Sequence, residues 1–108
     1  MKDNVMDAGE EAFAGNADLE SHLGWETFRS LASSWKSETV VDCTSDPRSF
    51  NAGAILVLST LLADRLGAAT SRNRVGIVLP PGIGVIVSNL ASVFCGKSPV
   101  NLNFSLGR

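Results

Sequence analysis

The residues best suited to chemistry in this chain are its one histidine and its two cysteines. His22 could serve as a general base, but it stands alone at the start of a predicted helix, as a surface histidine does. Cys43 and Cys95 lie far apart in apolar stretches, without the CxxC spacing or histidine neighbours of a metal site. We therefore interpret both cysteines as buried, reduced thiols, and we predict no catalytic or metal-binding residue in this chain.

Two glycine-containing segments are partly similar to phosphate-binding loops. Gly82-Ile83-Gly84 follows a predicted strand, but a dinucleotide loop has a third glycine and an acidic residue after the next strand, and both are missing. Gly96-Lys97-Ser98 has the end of a Walker A loop, but Ala91 replaces its first glycine and the segment closes a helix. The start of the helix at Ile83 could attract an anion, although Pro80-Pro81 removes two amides. We predict no cofactor site in this chain.

Residues 21–66 are predicted to form two helices with a strand between them. Apolar residues recur at helical spacing from Ser21 onward, which predicts an amphipathic helix with Arg29 and Lys36 facing solvent. Its apolar positions are Leu23, Phe28, Leu31, Ala32 and Trp35. The β-favouring residues 39–43 predict a short strand, and the polar residues 44–47 predict a turn. Residues 51–66 predict a second helix that ends at Gly67.

The second half of the chain is predicted to form a strand, a turn, a helix and a strand. Residues 75–79 have no polar side chain, which is typical of a strand buried on both faces, and Pro80-Pro81-Gly82 predicts a sharp turn. Residues 83–95 predict a helix, and residues 100–104 alternate apolar and polar side chains like a strand with one exposed face. The helix has an apolar stripe and a small-residue stripe, which are Ile83, Val87, Leu90 and Phe94, and Gly84, Ser88 and Ser92. A helical crossover makes its two strands parallel, so the predicted order is that of an open α/β structure.

A membrane span is the alternative for residues 75–96, which contain no charged side chain and are long enough to cross a bilayer. The paired prolines interrupt such a helix, and Ser88, Asn89 and Ser92 would need partners in lipid. We therefore predict a soluble strand-helix-strand unit and no transmembrane span.

The charges are distributed unevenly along the chain. Residues 1–20 hold only Lys2 against a group of acidic residues, which are Asp3, Asp7, Glu10, Glu11, Asp18 and Glu20. This segment lacks a sustained apolar period, which predicts an acidic, mobile leader before one domain at residues 21–108. The remaining charges are scattered, which argues against nucleic-acid binding. No secretory signal pattern is present, so we expect a cytoplasmic protein.

Three motifs follow one another from residue 51. The predicted helix ends in Leu66-Gly67, residues 74–82 read RVGIVLPPG, and residues 96–104 read GKSPVNLNF. In this order they resemble the start of the AMP-forming (adenylate-forming) acyl ligases. That superfamily has a helix ending in Leu-Gly, a strand of the type RVGILLP, a helix, and a strand of the type G-x-x-P-V-x-L-N. The paired prolines and the last motif are most similar to fatty acid:acyl-carrier-protein ligases and acyl-CoA synthetases.

The resemblance implies an α/β fold with a three-layer parallel sheet and flanking helices, of which this chain would be a partial N-terminal subdomain. It also implies ATP- and Mg²⁺-dependent activation of a fatty acid to an acyl-adenylate, followed by transfer to the thiol of an acyl-carrier protein or CoA. The phosphate loop, the nucleotide contacts and the C-terminal lysine of the family have no counterpart in this sequence. No catalytic, cofactor-binding or metal-binding residue is therefore carried over, and we expect the chain to be inactive alone.

The partners implied are the missing downstream ligase region and, in the complete enzyme, the fatty acid and the carrier protein or CoA. The complete enzyme could be cytoplasmic or peripheral to the inner membrane, and could be fused to an acyltransferase. A second hypothesis makes the chain a stand-alone α/β binding domain that pairs with a protein partner through an open sheet edge. Whether the sequence is a fragment of a ligase or a short protein in its own right stays open at this point.

Overall fold

The computed structural model describes residues 22–102, which form three helices and four strands. The helices are α1 (Leu23–Ser33), α2 (Ala52–Ala69) and α3 (Ile83–Phe94), and the strands are β1 (Glu38–Asp42), β2 (Arg48–Asn51), β3 (Arg74–Ile77) and β4 (Ser98–Asn101). The mixed α/β class is therefore confirmed. The acidic leader predicted at residues 1–20 lies outside the described residues.

The four strands form two separate two-stranded sheets within residues 22–102. β3 and β4 are parallel, with Arg74 opposite Ser98 and Ile77 opposite Asn101, which confirms the predicted pair. β1 and β2 form an antiparallel hairpin, and β2 was not predicted. Phe50 is its one strongly β-favouring residue, and pairing with β1 supplies what propensity does not. The three-layer parallel sheet stays a prediction.

The α2 helix begins at a side-chain cap and ends later than predicted. The Asn51 side chain accepts a hydrogen bond from the Ala54 amide at 2.8 Å, which satisfies an amide at the start of α2. α2 continues to Ala69, so the predicted end at Gly67 is wrong. Two alanines, the best helix formers, follow this glycine and carry the helix onward.

The strand predicted at residues 75–79 is shorter and less buried than expected. β3 ends at Ile77, and only Ile77 is buried in it, while Val78 is 54% exposed and Leu79 is also exposed. Burial on both faces is therefore wrong, because the helices cover only one face of this sheet in the described part of the chain. The strand predicted at residues 100–104 is β4, which begins earlier, at Ser98. Residues 103 and 104 lie outside the described part.

A small apolar core joins the three helices and the hairpin. Its buried members are Leu31, Ala52, Ile55 and Leu56, against which Phe28, Val40, Phe50, Ile83, Leu90 and Phe94 pack. α2 and α3 make the most extensive contact between elements, and buried small residues on both helices allow this close approach. Of the predicted small-residue stripe, Ser92 is buried, Ser88 is half-buried and Gly84 is exposed.

The uncharged residues 75–96 do not form one helix, because the proline turn separates β3 from α3. The helix that is long and apolar enough to cross a membrane, judged by length and composition alone within residues 22–102, is instead α2. One third of its length is buried in the fold, and the core helix of a globular domain passes the same test.

Candidate functional site

The turn between β3 and α3 is the place where the sequence suggested anion binding, and its geometry depends on Gly82. Gly82 has φ +147°, a conformation that side-chain-bearing residues rarely adopt. A Cβ atom added there would lie 3.1 Å from a carboxylate oxygen of Asp42. The glycine is therefore required both by its backbone angle and by the close approach of this carboxylate.

Asp42, the last residue of β1, receives three hydrogen bonds at this turn. Its Oδ1 accepts from the Thr44 amide at 3.0 Å and from the Thr44 hydroxyl at 2.6 Å. Its Oδ2 accepts from the Ile83 amide at 3.0 Å. The Gly82 cap offers no side-chain bond, so Asp42 caps α3 from a distant part of the chain and fastens the hairpin to this helix.

The same bonds hold Asp42 in its ionised form. The Thr44 hydroxyl, the Thr44 amide and the Ile83 amide lower the pKa of the Asp42 carboxyl from 3.8 to about 2, and Arg48 adds a smaller electrostatic contribution. Burial acts in the opposite direction and raises the pKa, since the residue is only 6% exposed. Hydrogen bonding to the charged form is the larger effect.

The anion at the start of α3 is therefore a carboxylate of the chain itself. The Ile83 amide that a phosphate would use is already donated to Asp42, so this helix terminus is a structural junction in the fold. No sequence pattern indicates this contact, because Asp42 and Ile83 are separated by the whole of β2, α2 and β3.

The histidine and the two cysteines that the sequence singled out lie apart from this junction or form no catalytic group with it. Nδ1 of the exposed His22 accepts from the Gly24 amide at 3.0 Å and caps α1. Cys43 is exposed and Cys95 is half-buried, so the prediction that both thiols are buried is wrong. Both are free thiols. Cys43 lies one residue beyond the end of β1.

The Gly-Lys-Ser segment at residues 96–98 ends α3. Gly96 has φ +75°, the left-handed conformation that commonly follows a helix. The Lys97 amide donates to the Ser92 carbonyl at 2.8 Å, and Lys97 Nζ donates to the Arg72 carbonyl at 2.6 Å. This lysine therefore ties the end of α3 to the segment before β3, in a geometry unlike that of a phosphate loop.

Two adjoining cavities form an apolar groove along α2, which we call the β3 groove. One, of about 400 Å³, lies between α2 and β3, and the other, of about 350 Å³, lies between α2 and the start of α3. Both cavities are lined by Leu62, the side chain at which they meet. The first is lined by Leu62, Leu66, Val75, Gly76, Ile77, Val78, Leu79 and Ser88.

The face of the β3–β4 sheet that points away from α3 is also apolar and exposed. Asn101 exchanges two hydrogen bonds with Asn89 of α3, at 3.0 and 2.8 Å, which fixes the face of β4 that meets the helix. Side chains alternate along a strand, so the neighbours of Asn101 point the other way. These neighbours, Val100 and Leu102, are 40% and 51% exposed. We call this surface the outer sheet face.

Neither surface carries a constellation for catalysis. Within the described part of the chain, His, Cys, Asp and Glu side chains form no group of three that could hold a metal ion. Comparison with protein-family models, with curated proteins and with solved structures finds no match to this chain. The function proposed below therefore depends on the motifs and on these two uncovered surfaces.

Proposed function

We propose that this chain is the N-terminal portion of an ATP-dependent fatty-acid ligase. The complete enzyme would form an acyl-adenylate and then transfer the acyl group to the thiol of an acyl-carrier protein or CoA. The observation that carries the proposal is the outer sheet face, combined with the three motifs that lie on the helix–strand–helix–strand unit bearing it.

The outer sheet face supports a larger protein because parallel sheets are normally covered on both sides. α3 packs on one side of β3 and β4, whereas the other side presents the exposed side chains of Val100 and Leu102 within residues 22–102. A second helical layer on this side, together with further strands, would give the three-layer parallel sheet that the motifs imply. That sheet is part of the proposal.

ATP and Mg²⁺ do not fit the residues described here. At the helix terminus where the sequence suggested anion binding, the Ile83 amide is donated to Asp42, and no group of potential metal ligands is present within residues 22–102. No catalytic step is therefore assigned to this chain. Nucleotide, metal, fatty acid and thiol acceptor would be bound by the downstream region of the proposed enzyme, in the cytoplasm or at the periphery of the inner membrane.

Fragment complementation tests this proposal. The chain is mixed with a fatty acid:acyl-carrier-protein ligase that lacks the corresponding N-terminal segment, and pyrophosphate release is measured with ATP, Mg²⁺ and a long-chain fatty acid. We expect neither part to react alone and the mixture to react. Substitution Val100→Asp should abolish the recovery because it places a charge on the outer sheet face. Val57→Asp, a matched change at an exposed valine of α2, should not.

Two results would refute the ligase proposal. One is pyrophosphate release by the chain alone, and the other is a mixture that stays inactive although both parts are folded by circular dichroism. Equal recovery of pyrophosphate release with the two aspartate variants would show that the outer sheet face takes no part in the proposed assembly.

A second candidate function is a stand-alone binding domain that pairs with a protein partner through an open sheet edge. It is favoured by β3, which pairs with β4 alone among residues 22–102 and has the β3 groove along its other side. Thermal unfolding at low concentration tests it: an independent domain should melt as a monomer in one cooperative transition. Aggregation, or strong binding of a dye for apolar surface before melting, contradicts this candidate.

A further inference from the structure

Within residues 22–102, β3 pairs with β4 alone, so its other edge offers backbone hydrogen-bonding groups. The carbonyls of Asn73 and Ile77 accept from β4, from the amides of Ser98 and Leu102. In a parallel ladder, alternate residues direct their backbone groups to opposite neighbours. The N–H and C=O groups of Arg74 and Gly76, and the N–H of Val78 just beyond the strand, therefore point away from β4, on the edge along which residues 75–79 line the β3 groove.

The groove beside this edge is elongated along β3. Residues 75–79 form one wall. The three that belong to β3 span roughly 10 Å at about 3.3 Å per residue, and Val78 and Leu79 continue the wall beyond the strand. Leu62 and Leu66 of α2 form the floor on the helix side of the sheet. A strand added to β3 would place alternate side chains against this apolar floor, as in recognition by strand addition.

Two arginines lie beside or within the lining of the β3 groove. Arg74 begins β3, directly before the lining residue Val75, and Arg65 lines the second cavity of the groove, between α2 and α3. Neither cavity has an acidic residue in its lining. A second copy of this chain docked symmetrically on the groove would bring its own arginines to the same region, and like charges disfavour that arrangement. An occupant with an acidic residue is complementary.

We propose that the β3 groove binds an extended apolar segment of a partner protein, which adds to the edge of β3 as a strand and places an acidic side chain beside Arg74. This proposal rests on the second candidate function and specifies the edge and the chemistry of the partner. The backbone bonds supply affinity for any extended segment, whereas the groove floor and Arg74 select its sequence.

A synthetic peptide in the presence of the full chain tests the proposal. The probe is an eight-residue peptide that alternates valine and threonine and carries glutamate at one end, with a fluorophore at the other. A control peptide has lysine in place of glutamate, and a second has N-methylated amides on the pairing side. Binding is measured by fluorescence anisotropy, and hydrogen exchange of the Gly76 and Val78 amides locates it.

We expect the glutamate peptide to bind and to slow exchange at Gly76 and Val78, and the N-methylated peptide not to bind. Val78→Asp should weaken binding at least tenfold because it places a charge in the groove, whereas Val100→Asp, an equivalent change on β4, should leave it unchanged. The lysine peptide should bind up to about fivefold more weakly, in keeping with an exposed ion pair. Arg74→Glu should reverse the preference between the two peptides.

Three outcomes overturn the proposal in distinguishable ways. Slowed exchange at β4 amides in place of β3 amides would leave edge pairing standing and refute the groove as its site. A concentration-dependent dimer in sedimentation, dissociated by the peptide, would assign the groove to a second copy. If the chain binds no peptide while its circular dichroism spectrum shows that it is folded, both the groove and edge pairing are refuted.

Discussion

The buried hydroxyl of Ser59 should destabilise the fold, so its removal should stabilise it. Ser59 in α2 is fully buried, and its Oγ has no hydrogen-bond partner among the described residues. An unsatisfied buried polar group costs about 1–3 kcal/mol, and alanine is the better helix former by a further few tenths. Ser59→Ala should therefore increase the free energy of unfolding by about 1–3 kcal/mol.

Ser92 in α3 provides the matched control, because it is equally buried and its Oγ donates to the Ser88 carbonyl at 2.8 Å. Its replacement by alanine loses a hydrogen bond worth about 0.5–1.5 kcal/mol, which the helix propensity of alanine partly offsets. The same chemical change should thus raise stability at one helix and leave it equal or lower at the other. The difference isolates the satisfaction of the hydroxyl.

Urea unfolding, followed by the helical circular dichroism signal at about 220 nm, measures both variants against the parent chain. A stabilisation of 1 kcal/mol in a domain of this size also raises the melting temperature by roughly 4–8 °C. The reasoning is refuted if Ser59→Ala lowers the transition midpoint at an unchanged m-value, or if the two variants shift it equally.

Three further predictions concern the Asp42 junction and the core. Ionised Asp42 stabilises the fold above pH 3.8, and this contribution should be lost as the pH falls towards about 2. In acid-unfolding curves, the stability difference between the parent and Asp42→Asn should therefore shrink across that range. A constant difference would contradict the assignment. Gly82→Ala should cost about 1–3 kcal/mol in urea unfolding, because φ +147° strains a side-chain-bearing residue, and an unchanged midpoint would contradict this. Ile55→Ala should cost about 2–5 kcal/mol, since Ile55 is 1% exposed, and a loss below 1 kcal/mol would show that the core collapses around the gap.

The sequence predicted the elements whose patterns are local. Unbroken apolar β-formers before Pro80-Pro81-Gly82 indicated β3 and its turn, and helical periodicity after them indicated α3. The crossover through α3 then required β3 and β4 to be parallel, as they are. In this part of the chain, local propensity and tertiary structure agree.

The hairpin and its junction with α3 could not be predicted in the same way. β2 has one strongly β-favouring residue, Phe50, and exists because β1 pairs with it. The bond from the Ile83 amide to Asp42 joins residues that are remote in sequence, so no periodicity reports it. Cys43 was expected to be buried because apolar residues precede it. Those residues lie in β1, whereas Cys43 lies just beyond the end of the strand and is exposed.

The two candidate functions make different demands on the same pair of strands. A ligase portion requires the outer sheet face to be covered, and a binding domain requires only the edge of β3 to be paired. Val100 belongs to the outer sheet face, Leu62 to the groove floor, and Val78 lies at the end of β3 where both surfaces meet. A charge at Val100 should therefore impair assembly into a larger enzyme while sparing peptide binding, whereas a charge at Val78 should impair both. If a charge at Val100 abolished peptide binding in a folded chain, the two surfaces would form one site. Charges at Val100 and Val78 would then not distinguish the two candidate functions.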